Sequence, residues 1–224
     1  CGGGDFAAAV EERAFGRGRF AMSQRERQIA AQDDAAFAGE PVEFAMRDPR
    51  SGNYIASVTS AFYGPKLFFT DELDAEEWQQ AEGLVLPDDQ EKPLERLWVV
   101  AVGEEDGLLY AGGAPGILFE SRDGGATWAL NQGFWEQPTR PDWSPGAGGM
   151  CLHTILLDPA QPERIFVAIS AAGAFRSEDG GKSWQPINRG LKSEGIPNPT
   201  AEVGHCVHRI AMHRSRPSVL FMQK

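Results

Sequence analysis

The chain has 224 residues, 42% of them apolar, which is enough for a substantial core, and no uncharged apolar run approaches the roughly 18 residues of a membrane-crossing helix. A net charge of −11 repels phosphate backbones and argues against nucleic acid as a partner. Three cysteines, at 1, 151 and 206, form no disulfide framework and suit a reducing compartment, so a cytoplasmic protein is expected.

Residues 1–40 carry no strand pattern, and Phe20 to Phe37 reads as a helix or a disordered lead-in. The opening Cys1-Gly2-Gly3-Gly4 fits a truncated reading frame, which is favoured because the other end is also cut. The alternative is the start of a mature lipoprotein, which would make the protein lipid-anchored or exported. From residue 41 a repeat takes over. Its first copy (41–95) has apolar strands at Phe44 to Met46, Tyr54 to Ser57 and Leu67 to Thr70, with a turn at Asp48-Pro49 and a Trp at 78. The second copy (96–150) has strands at Trp98 to Val102, Leu108 to Ala111 and Ile117 to Ser121. The third (151–205) has Leu152 to Leu157, Asp158-Pro159, Arg164 to Ala168 and Ala174 to Ser177, and the fourth (206–224) has Val207 to Met212 and Val219 to Met222.

Two copies close on one eight-residue box, Ser121-Arg122-Asp123-Gly124-Gly125-Ala126-Thr127-Trp128 and Ser177-Glu178-Asp179-Gly180-Gly181-Lys182-Ser183-Trp184. The Asp can bond back to turn backbone, the Gly pair supplies positive φ for a tight hairpin, and the Trp packs the unit shut. Ser121, Asp123, Gly125, Trp128, Ser177, Asp179, Gly181 and Trp184 are therefore structural residues. A copy without glycines stands at Thr70 to Trp78. The Trp residues at 78, 128 and 184 are spaced by 50 and 56, the size of a four-stranded blade. The expectation is an all-β chain: a β-propeller of such blades, present as a partial ring of about three and a half, whose open strand edges favour self-association.

Stepping by 55 aligns Glu43, Trp98, His153 and His208 near the starts of successive innermost strands, where they would ring the mouth of a central channel. Cys151 and Cys206 precede the two histidines by two residues, so each Cys shares a strand face with its His. These four have the ligand types zinc takes; buried thiols and hydrogen-bonded imidazoles are the other reading. Glu202 and His205 join His153 and His208 as candidates for acid-base work, or as a polar network fixing the strand starts. His213 takes the turn position of Asp158 and reads as structural.

The connections 83–96, 133–149 and 191–204 are rich in Pro and Gly and enter the first strand of the next unit, so ligand contacts are expected on their face. Trp135 and Trp143 are candidate stacking platforms there, or packing for a long loop, and Arg209 and Trp98 join them as ligand contacts. Glu136, Asp142, Glu194 and Glu202 are the acids of that face. No cofactor is implied.

The box resembles the Asp-box, or BNR repeat, of sialidases and other β-propellers. The stretches Pro145 to Pro159 and Pro199 to His213 carry a likeness to bacterial BNR-repeat proteins described as exo-alpha-sialidase-like or glycosyl-hydrolase-like, over residues 41–224. That resemblance implies a propeller with a small-ligand or glycan site, either a sialidase-like or other glycoside hydrolase, or a non-catalytic binding or assembly scaffold. Sialidases open on a Phe/Tyr-Arg-Ile-Pro segment. The near match here, His208-Arg209-Ile210-Ala211, lies in another blade and has Ala for Pro. The stretch Val167 to Arg176, where a xyloglucanase-like catalytic Asp would fall, has no carboxylate.

Overall fold

The structure, a computed structural model, describes residues 36–224 except positions 38, 89, 91, 147, 148, 195, 197 and 214; the helical or disordered lead-in read over Phe20 to Phe37 lies almost wholly outside the described residues. Three antiparallel four-stranded sheets follow one another: β1 (Val42–Arg47), β2 (Tyr54–Ser60), β3 (Gly64–Thr70) and β4 (Gln79–Gln80); β5 (Arg96–Val102), β6 (Leu109–Ala114), β7 (Ile117–Ser121) and β8 (Ala129–Leu130); β9 (Leu152–Asp158), β10 (Gln161–Ile169), β11 (Gly173–Ser177) and β12 (Gln185–Pro186). A two-stranded sheet of β13 (Arg209–His213) and β14 (Arg216–Gln223) completes the series. One connection holds a short helix, α1 (Gln132–Trp135), and a 3-10 turn over Arg140–Asp142, where an irregular loop was expected.

Period-two alternation explains the core. Ile165, Val167 and Ile169 of β10 face the second sheet, together with its Tyr110 and Leu118, while Phe166 and Ala168 face Val207 and Ile210 of the last. Leu109, Ala111, Ile117 and Phe119 face Ile55 and Leu67 of the first sheet. Each middle sheet is thus apolar on both faces and needs two neighbours. Contacts of β5 with β1, of β9 with β5 and of β13 with β9 put the first strands innermost.

The boxes form as their residues dictate. Ser121 Oγ donates to Asp123 Oδ1 (2.9 Å) and accepts from Gly125 N (2.9 Å), while Asp123 accepts from Thr127 N (2.9 Å) and Thr127 Oγ1 (2.6 Å). The second box repeats the pattern at Ser177, Asp179, Gly181 and Ser183 within about 0.2 Å of the same distances. Gly124 and Gly125 sit at φ +76° and +100°, open to glycine alone at little cost. Trp128 and Trp184 are buried and donate their indole N–H to Gly125 O and Gly181 O at 2.9 and 3.1 Å. The copy without glycines keeps only the first step: Thr70 Oγ1 accepts from Glu72 N at 3.2 Å.

Candidate functional site

Glu43, Trp98 and His153 are each the extra residue of a β-bulge. Val42 pairs with Val58 and Phe44 with Ser57, Leu97 with Gly113 and Val99 with Gly112, Leu152 with Ile169 and Thr154 with Ala168. A bulge sets two residues against one and re-aims the side chain of the unpaired one. The 55-residue step in the sequence is therefore a repeated backbone device, carried three times near the starts of the innermost strands. His208, the fourth position, precedes β13 and donates its backbone N–H to Gln223 O.

Two of the re-aimed side chains, Glu43 and His153, reach the next unit. Glu43 Oε1 lies 3.7 Å from Arg96 Nε, and the Arg96 guanidinium carbon stands 5.5 Å from the ring centre of Trp98, which is 37% exposed. His153 Nε2 is 2.8 Å from Val207 O and Nδ1 2.8 Å from Thr154 Oγ1. A carbonyl only accepts, so Nε2 carries the proton; in the neutral ring Nδ1 accepts from the threonine hydroxyl. Burial depresses its pKa, against the raising effect of the Val207 bond, and the charges of His208 and Arg209 lower it further.

The four Cys and His positions do not assemble a metal site. Cys206 Sγ is 3.6 Å from His208 Nε2, both exposed, but Cys151 is half-buried with its thiol toward Leu152 O, and His153 has spent both ring nitrogens. Among the described residues no three His, Cys, Asp or Glu side chains gather as a metal would require. Burial pushes the Cys151 thiol up to about 12, with Arg96 opposing and Glu43 and Glu95 reinforcing the shift.

His205 does not join His153. It is fully buried, with Nε2 2.7 Å from Ala201 O and Nδ1 2.8 Å from Ser193 Oγ, and it fastens the connection into β13. An imidazole bonded at both nitrogens and shut from solvent is a brace, so its acid-base candidacy is withdrawn. Glu202 is exposed and its backbone carbonyl takes the Asn188 side-chain N–H at 2.9 Å. His213 caps its turn, accepting from Ser215 N at Nδ1 as Asp158 accepts from Ala160 N.

Trp143 is not a stacking platform. It is buried against Phe134 and Phe175, with ring centres 5.7 and 5.1 Å apart, and its indole N–H bonds Thr139 Oγ1. Trp135 is half-buried, and the Arg140 guanidinium lies 4.0 Å over its ring centre. Sequence reasoning missed Arg96 and Arg140, since neither recurs at the equivalent position of the other copies. It also missed Phe62 and Tyr63, which are 90% and 80% exposed in the β2–β3 turn.

The β6–β7 turn is the hub of this face. Ala114 O accepts from Glu95 N beside β5, Gly116 N donates to Met150 O ahead of β9, and Pro115 O and Gly116 O hold Arg140. The boxes sit at the other end of the strands, where Gly124 N donates to Gly107 O of the β5–β6 turn and Gly180 N to Glu163 O near the start of β10.

Among solved structures the chain is similar to a GH74 xyloglucanase from Xanthomonas campestris, at 20% identity and a TM-score of 0.51 over 75% of this chain and 25% of that one. It is similar also to an ancestral GH74 enzyme, at 20% identity and a TM-score of 0.53 over 83% of this chain and 22% of that one. The fold is a β-propeller. Its blades are the three four-stranded sheets, with a two-stranded fourth, and the chain spans about a quarter of the length of these GH74 proteins. YCF48 from Cyanidioschyzon merolae matches at 15% identity and a TM-score of 0.45, over 84% of this chain and 49% of that one. No family model and no curated protein matches the chain. Among the described residues no helix is long and apolar enough to cross a membrane.

Proposed function

We propose that the chain is a BNR/Asp-box propeller chain that binds a glycan at the channel mouth, with the bulge residues as its contacts. The observation that carries this is the triple bulge, which turns Glu43, Trp98 and His153 out of their ladders at one end of three successive innermost strands. Trp98 offers an apolar ring face to a sugar, Arg96 and Glu43 flank it with donors and acceptors, and His208 and Arg209 extend the polar wall. The GH74 neighbours favour a glycan over other flat ligands.

Binding without hydrolysis is the form this reading takes. A glycosidase places two carboxyl groups about 5 to 9.5 Å apart across the bond. The bulge residues supply one, Glu43, and Arg96 holds it in an ion pair. Calorimetric titration of the chain with xyloglucan oligosaccharides is expected to show saturable binding. Trp98→Ala is expected to weaken it at least tenfold with little change in melting temperature, and no reducing ends should be released. Binding untouched by Trp98→Ala would overturn the assignment of the site; steady release of reducing ends would favour the hydrolase.

A further inference from the structure

Among the described residues Arg140 is a guanidinium with no carboxylate partner. It lies between two indoles, 4.0 Å from the ring centre of Trp135 and 5.1 Å from that of Trp143, and donates from Nη1 to Gly116 O (2.9 Å) and from Nη2 to Pro115 O (3.2 Å). Among the described residues no carboxylate comes within ion-pair distance. The arginines that do form ion pairs, Arg96, Arg122, Arg164 and Arg176, meet Glu or Asp in a chain of net charge −11. Burial alone lowers the Arg140 pKa to about 10, as befits a cation taken from water with no opposite charge beside it.

Holding a half-buried charge without an opposite charge is costly, and cation–π contacts with two carbonyl bonds offset only part of that cost. They also fix the guanidinium plane, leaving Nε–H and the second proton of each terminal nitrogen uncommitted. The place is informative. The turn that holds Arg140 is the one bonded to Glu95 next to Arg96 and to Met150 ahead of His153, so the cation stands on the proposed ligand face. We infer that Arg140 is an anion subsite on this face that takes the oxyanion of an acidic ligand, a carboxylate or sulfate group, with Trp135 beside it for the body of the ligand. This rests on the proposed glycan site only for the identity of the ligand; the anion chemistry stands on Arg140 itself.

Tryptophan fluorescence of the full chain, titrated at constant ionic strength with sodium galacturonate, sodium sulfate or galactose, tests it. Saturable quenching by galacturonate, with galactose at least tenfold weaker, is expected. Sulfate binding equal to galacturonate assigns the subsite to a free oxyanion, and a galacturonate preference assigns it to an acidic sugar; either supports the inference. Arg140→Lys keeps the charge but loses the planar fork and should weaken binding about tenfold, and Arg140→Met should abolish it. If Arg140→Met fails to fold, the lysine variant decides. Equal response to galactose and galacturonate, no saturation with any anion, or unchanged affinity in Arg140→Lys would overturn the inference and leave Arg140 a loop latch. Xyloglucan binding lost in Trp98→Ala while galacturonate binding persists would keep the two sites separate.

Discussion

His153 Nε2 stands 2.8 Å from the carbonyl oxygen of Val207, so the bulge residue of one innermost strand bonds the chain entering the next. Blade 1 does the same with different chemistry, Glu43 meeting Arg96. The ring of candidate contacts is therefore also a seam between blades.

A pH effect follows from the neutral His153. Its folded pKa lies below the ordinary 6.5, so protonation favours the unfolded chain. Its stabilising contribution is complete above about pH 6.5 and is lost as the pH falls below that value toward the folded pKa. Urea melts at pH 7.5 and 5 should show wild type losing stability at the lower pH and His153→Gln losing less. Equal losses would remove His153 as the cause.

The box aspartates titrate the other way from a buried acid. The hydroxyl of Ser183, its backbone N–H and the hydroxyl of Ser177 hold Asp179 at about 2, against the opposing effect of desolvation. A depressed carboxylate stabilises the fold above its unfolded pKa, ordinarily 3.8, and that contribution disappears as pH falls through about 2. Asp179→Asn should flatten the acid limb of a melting profile between pH 4 and 2, as measured by circular dichroism.

Trp128 and Trp184 are 4% and 5% exposed, and each packs its box against the preceding blade. Replacement of either by Ala should cost about 3 to 5 kcal/mol, as for a core aromatic. A loss under about 1 kcal/mol in urea melts would contradict this.

Two glycines test close approach between blades. A Cβ on Gly133 would sit 2.1 Å from Lys182 O, and one on Gly83 2.1 Å from Trp128 O, backbone atoms with little room to retreat. A Cβ on Gly124 would meet nothing within 4 Å, leaving only its φ of +76° to resist. Gly133→Ala and Gly83→Ala should therefore be more damaging than Gly124→Ala, for which about 1 kcal/mol is expected. Thermal melts giving the reverse order would contradict the packing argument.

Among the described residues β14 pairs with β13 alone, and Val219 and Phe221 on its outward face are 42% and 65% exposed. An eight-residue unpaired edge with apolar side chains invites another strand. Light scattering of the chain should show mass rising with concentration, and Phe221→Lys should suppress the rise. A monodisperse monomer at all concentrations would refute the association.

The boxes, the strand order and the blade period were legible in the sequence, because each rests on local chemistry: Asp bonding within four residues, Gly at positive φ, and apolar residues at a spacing of two. So was the alignment of Glu43, Trp98, His153 and His208, since repeating units place equivalent residues at equivalent points. Tertiary structure alone decided what those positions do. The bulge depends on register with the neighbouring strand, and the fates of Trp143, His205 and Arg140 depend on how the chain folds around them: Phe175 of the next strand hairpin buries the first, Ser193 and Ala201 of the same connection brace the second, and the carbonyls of Pro115 and Gly116 in the β6–β7 turn hold the third. A Trp, a His and an Arg in a Pro- and Gly-rich connection look alike in sequence whether they face solvent or core, because burial belongs to the partner surface and not to the residue.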